Sequence, residues 1–143
     1  DPDEIAGQPV PTGLSESVEY VLELVGAHVR RGVRPGRVFL VGYSQGGGLA
    51  LAAALRAPRG LGGVLMLSSW IAEPLPTQRT AVPVHFFHGA ADAVVPVATV
   101  QRCRATLEEA GLEASLRVYE GMASGICDKE VGDIAQTLYE ALC

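Results

Sequence analysis

The sequence predicts an α/β fold, a mostly parallel sheet flanked by helices. Short apolar runs alternate with helix-length segments along the chain. Those runs are apolar at consecutive positions, and no repeat, low-complexity stretch or linker divides the 143 residues. Strands that are apolar on both faces need cover on both faces, and helical crossovers between parallel strands supply it. Length and continuity fit one domain spanning 1–143.

The elements follow in order. Residues 1–14, opening "DPDEIAGQPVP", contain no apolar run and read as a loop or interior leader. Residues 15–31 place Val18, Val21, Leu22, Val25 and Val29 at helical spacing. Glu16 and Glu19 near the start and Arg30 and Arg31 near the end complement the helix dipole, so this helix lies on a sheet. Val38–Val41 is the first strand, followed by a helix at about 47–57. Val64–Leu67 and Val84–Phe87 are further buried strands, and 97–110 is a helix. Residues 115–119, "SLRVY", alternate in polarity as an outer strand would, and a last helix spans 128–142. "VFLV" wants neighbours on both sides. At a sheet edge it would leave unpaired backbone, through which two copies could dimerise.

Bulk properties narrow the function. A net charge of −5 leaves no electrostatic footprint for nucleic acid. Cys103, Cys127 and Cys143 are widely spaced and odd in number, which suits a reducing cytoplasm better than a disulfide framework. No Cys/His cluster suggests a metal, and no pattern suggests a cofactor. Residues 38–55 carry no charge, yet Ser44-Gln45-Gly46-Gly47-Gly48 would polarise and break a membrane helix there.

That polar interruption carries the chemistry. Gly42-Tyr43-Ser44-Gln45-Gly46 is G-x-S-x-G between an expected strand and an expected helix. A serine hydroxyl is a poor nucleophile until it is held clear of its strand and deprotonated. A sharp turn presents Ser44, with small residues two before and two after making room. The Gln45 backbone amide, at a helix N-terminus, then faces a developing oxyanion. A phosphate loop would need a Lys-Ser/Thr ending that is not here. In the order nucleophile, acid, base, the acid candidate is Asp92, the only carboxylate between Phe86 and Pro96.

"VGYSQGGGLAL", "SSW", "HGAADAVVP" and "YEGM", in this order, resemble the acyl-protein thioesterase/lysophospholipase (phospholipase/carboxylesterase) family of α/β-hydrolases. The resemblance runs from about residue 15 to the C-terminus and corresponds to roughly the C-terminal two thirds of a family member. It implies an α/β-hydrolase fold, present as its C-terminal portion, and cleavage of carboxylic esters, lysophospholipids or thioesters of lipidated proteins. It puts Ser44 on the nucleophile, Asp92 on the acid, the Gln45 amide in the oxyanion hole and Trp70 on a tryptophan beside the substrate, although a core role fits Trp70 better. It also puts His88-Gly89 on a structural His-Gly pair.

Two departures follow from the resemblance. The family's histidine comes after the "EGM" turn; here "GMASG" puts Ser124 at its position, and no histidine follows Asp92. The family's upstream His-Gly loop, which gives the second oxyanion amide, precedes anything in this sequence. Of the remaining histidines, His28 reads as a surface group and His85 as a strand histidine. His88, at the carboxyl end of a strand, is the one placed to substitute as a base. Ser124 cannot, since a hydroxyl accepts no proton near neutrality. The expectation is a serine hydrolase by family that is nearly inactive as this chain. The alternative is a pseudo-hydrolase that binds an acyl group or a protein.

Overall fold

The computed structural model describes residues 13–71 and 73–143. Most of the expected loop over 1–14 therefore lies outside the described residues, and Leu14 already opens the first helix. The elements are α1 (Leu14–Arg30), β1 (Phe39–Tyr43), α2 (Gln45–Arg56), β2 (Gly63–Leu67), β3 (Val84–Gly89), α3 (Val97–Glu109), β4 (Ala114–Tyr119) and α4 (Asp128–Leu142). A short 3₁₀ turn, Pro35–Arg37, leads into β1.

Four strands form one sheet in the order β1-β2-β3-β4, and every neighbouring pair is parallel. Strand pleat sorts the core into two layers. Val64, Met66, Val84 and Phe86 meet Ala50, Leu51, Ala54 and Leu55 of α2, together with Val25 of α1 and Val100 and Leu107 of α3. The other face carries Leu65, Leu67, Phe87 and Tyr119, packed against Ile134 and Leu138 of α4. Phe86 and Phe87 are both buried, and each stabilises its layer by about 1.5–3 kcal/mol of transfer free energy.

Two boundaries differ from the sequence reading, for one reason. β1 runs on to Tyr43 and α2 begins at Gln45, so Ser44 alone separates strand from helix. The three glycines that looked like an interruption lie inside the first turn of α2. Close packing against the sheet compensates their low helix propensity.

The expected edge is where "VFLV" falls. Among the described residues β1 pairs only with β2, and its Val41 and Tyr43 point to the α4 side of the sheet, where they are 52% and 45% exposed. An apolar groove of about 370 Å³ follows this edge, lined among others by Val21, Phe39, Val41 and Leu49. β4, the opposite edge, alternates in burial, as an outer strand should.

Candidate functional site

The carboxyl ends of β1, β2, β3 and β4 converge on the turns that follow them. In parallel α/β sheets this is the end where ligands bind. Ser44 stands at the tip of β1 with φ 54° and ψ −124°. L-residues other than glycine avoid this region, and holding one there costs about 1–3 kcal/mol, which surrounding structure must offset. Three contacts do so. The Ser44 amide donates to the Leu67 carbonyl at 2.8 Å, and Gly47 N–H donates to the Ser44 carbonyl at 3.1 Å. The Ser69 hydroxyl donates to that same carbonyl at 2.5 Å.

The glycine requirement differs from the one expected. A Cβ on Gly42 would lie 2.2 Å from the Gly46 carbonyl oxygen, and one on Gly47 would lie 2.3 Å from Ser69 Oγ. A Cβ on Gly46, the second glycine of G-x-S-x-G, would meet nothing within 4 Å. The turn therefore needs glycine at Gly42 and Gly47, because the backbone of the first turn of α2 and the Ser69 side chain occupy the space beside them. Ser69 was not singled out from the sequence, although "SSW" directly after a strand was its visible trace. Gln45 is the first residue of α2. Its N–H has no intrahelical partner, and this frees it for an oxyanion.

Asp92 lies in the loop between β3 and α3, with its side chain buried. Its Oδ1 accepts the Val94 and Val95 amides, both at 2.9 Å. Oδ2 accepts no hydrogen bond from a described residue; His88 Nε2 lies 3.6 Å from it. One oxygen thus fixes the loop and the other is left for a further partner. Replacing Asp92 by Ala should destabilise the chain by about 1–2 kcal/mol by orphaning two amides, while Asp92→Asn, which keeps one acceptor, should cost less. Urea denaturation of both variants measures the difference.

The turn after β4 is tied to this loop. Ala90 N–H donates to the Tyr119 carbonyl and Ala91 N–H to the Met122 carbonyl. A Cβ on Gly89 would overlap the Met122 and Ala123 carbonyl oxygens, each 2.2 Å away. This packing brings Ser124 to the elbow, where its Oγ lies 3.2 Å from the hydroxyl of Tyr43, the residue before Ser44. Ser68, at the end of β2 with φ 50°, donates from its hydroxyl to the Gly125 carbonyl at 3.4 Å. The position where the resemblance expects a histidine is thus occupied by a hydroxyl that meets the side chain of Tyr43.

No described histidine takes its place. His28 is exposed in the last turn of α1. His85 Nδ1 lies 2.9 Å from Ser115 Oγ on β4. Burial pushes its pKa down; Glu113 opposes that and Arg117 reinforces it. His88 is fully buried, and its Nε2 lies 2.6 Å from the Val95 carbonyl. A carbonyl only accepts, so Nε2 carries the proton and is spent on that bond. Trp70 packs half-buried against the α1–α3 side of the core, in keeping with a core role. Ser44 Oγ hydrogen-bonds to no described residue's side chain. Among the described residues no cluster of His, Cys, Asp or Glu could hold a metal, and no helix is long and apolar enough to cross a membrane.

Comparisons with known proteins agree with this geometry. Residues 6–142 match the phospholipase/carboxylesterase family. Carboxylesterase SOBER1 of Arabidopsis thaliana is 32% identical over 87% of this chain and 58% of its own length. Acyl-protein thioesterase 1 of Gibberella zeae is 30% identical over 91% of this chain and 59% of its own. The crystal structure of SOBER1 superposes with a TM-score of 0.85 at 30% identity, covering 96% of this chain and 69% of that one. The chain spans a little under three fifths of the length of these two curated relatives.

Proposed function

Because the chain belongs to the phospholipase/carboxylesterase family, we propose that its site is built for acyl transfer from carboxylic esters or thioesters. In this reading Ser44 is the nucleophile and Asp92 the acid, with Gln45 N–H as one oxyanion donor. The observation that carries it is the strained Ser44 between β1 and α2, fixed by Leu67 and Ser69. Such strain is useful where a hydroxyl must stand clear of its strand. In the reaction, Ser44 Oγ would bond to the acyl carbon, the alcohol or thiol would leave with a proton, and water would hydrolyse the Ser44 ester. The step that lacks a partner is removal of the Ser44 proton, since Ser124 and Tyr43 are both poor bases near neutrality. Turnover by this chain is accordingly weak.

Substrates of the classes in its relatives' names, carboxylic esters and acyl-protein thioesters, fit this reading. The partners are then an acyl ester, a lysolipid or a lipidated protein. A fluorophosphonate probe tests it. Slow covalent labelling, confined to Ser44 by mass spectrometry and lost in Ser44→Ala, is expected. Labelling that persists in that variant overturns the assignment.

A second reading, a pseudo-hydrolase that binds an acyl group or a protein without cleaving it, draws support from the hydroxyl pair of Tyr43 and Ser124 beside the nucleophile. The free thiols of Cys103, Cys127 and Cys143 suit a reducing cytoplasm. The unpaired outer edge of β1 supports self-association. Sedimentation should show a dimer that grows with concentration and is weakened by Val41→Lys; a monomer throughout would exclude it.

A further inference from the structure

The end of the sheet where β1 and β2 begin, opposite the Ser44 turn, carries a cavity that the candidate reaction site does not use. Its volume is about 280 Å³, and it lies between the last turns of α1 and the chain that follows α2. Leu22, Val25 and Val29 of α1 form one wall, and Pro35, Ala57 and Leu61 face them. Val25, Ala57 and Leu61 are buried, so the floor is apolar. A group the size of a water or a methylene takes about 30 Å³, which gives the cavity room for about nine methylenes.

The rim of this cavity is cationic in a chain whose net charge is −5. Between Glu23 and Glu73 there is no carboxylate, while Arg30, Arg31, Arg34, Arg37, Arg56 and Arg59 are six of the eleven Lys and Arg residues. The fold collects them at one end because α1 and α2 both finish there. Those two helix C-termini answer about one positive charge between them. Glu73 pairs with Arg56, and Arg37 donates to the Leu142 carbonyl. Among the described residues Arg30, Arg34 and Arg59 have no hydrogen-bond or ion-pair partner. Two of these three lie at the cavity. Arg59 lines it, and Arg30 folds along Gly26, another lining residue, where a Cβ would come 3.1 Å from a guanidinium nitrogen. Glycine inside α1 weakens the helix, and what it makes room for is the Arg30 head.

We propose that this cavity binds a single-chain anionic amphiphile, a fatty carboxylate of about eight to ten carbons, with its tail in the cavity and its head on Arg30 and Arg59. An apolar cavity alone takes any oily ligand. Unpaired guanidinium groups at its mouth select the charge of the head, and their planar fork matches a carboxylate. A cavity of this volume takes one short chain, which points to the free monomer in solution as the source. The ligand is held without covalent chemistry. Nothing here depends on Ser44, Asp92 or turnover of an ester, since the site lies at the other end of the sheet.

Titration of decanoate, decanol and decyltrimethylammonium into the chain, followed by calorimetry and amide NMR, tests the proposal without a variant. Decanoate should saturate with shifts at Val25, Gly26, Val29 and Leu61, and should bind at least about tenfold tighter than decyltrimethylammonium. From hexanoate upward each added methylene should tighten binding about fourfold, and the gain should stop at about ten carbons, when the cavity is full. Equal affinity for the anionic and cationic heads, or shifts gathered at Tyr43, Ser44 and Ser124 instead, would overturn it. Arg30→Gln combined with Arg59→Gln, both at exposed positions, should weaken decanoate about tenfold and leave decanol within about twofold. Equal losses for the two ligands would show that the arginines shape the cavity and do not read charge, which contradicts the assignment of the head.

Discussion

Placing a histidine at position 124 is expected to raise Ser44-dependent ester hydrolysis above that of the parent chain, but only to a small fraction of what a complete site would give. Removing the histidine from a serine triad costs about 10⁶ in kcat, and what survives, about 10³–10⁴ over water, comes from the oxyanion hole and substrate binding. The turn that carries Ser124 contacts both the residue before Ser44 and the loop that carries Asp92. Tyr43, adjacent to Ser44, already touches Ser124 Oγ at 3.2 Å, and the 120–127 turn is bonded to the Asp92 loop. Asp92 Oδ2 is unbonded and can orient the ring, since Oδ1 is committed to Val94 and Val95. The limit comes from the oxyanion. Gln45 N–H is the one donor this reading assigns, and loss of one oxyanion donor costs about 10²–10³. Ser124→His alone should therefore raise nitrophenyl ester turnover by about 10³–10⁴ at most. A gain near 10⁶ would mean that a second donor is already in place.

The second large effect concerns folding. Gly42→Ala should destabilise the chain by about 3–5 kcal/mol, a large part of the stability of a domain this size. The added Cβ would lie 2.2–2.4 Å from backbone atoms of Gly46 and Gly47, which cannot move without unwinding the start of α2. Gly46→Ala, one turn residue away, should be neutral or slightly stabilising, because its Cβ meets nothing within 4 Å and alanine favours the helix. Thermal unfolding of the pair decides the matter. Equal losses would contradict the view that Gly42, not the motif's second glycine, is the position with no room for a side chain.

The contrast between Gly42 and Gly46 also marks how far the sequence could be read. The strand, serine and helix were legible because a β-rich run, a small polar turn and an Ala/Leu run differ in character. Asp92 was legible because no other carboxylate shares its loop, and Ser124 because the "EGM" turn fixes its place by resemblance. What escaped were contacts made across the fold. Ser69 matters through the Ser44 carbonyl 25 residues away, and no local pattern encodes that distance. Glu130, near the start of α4, is buried by the packing of that helix against the sheet, which no local pattern encodes. His88 read as a possible base until its Nε2 was found facing Val95. The exposed edge at β1 was anticipated from "VFLV", since a strand apolar on both faces asks for more cover than this sheet gives it.

In the proposed function this chain presents a hydrolase nucleophile and its acid without a base to activate them. The most direct test is the rate of short-chain nitrophenyl ester hydrolysis by the chain relative to its Ser44→Ala variant. A ratio within about tenfold is predicted, because an unactivated serine adds little to binding and a lone oxyanion donor. A ratio above about 10³ would contradict the claim, for it would require a group that takes the Ser44 proton at neutral pH.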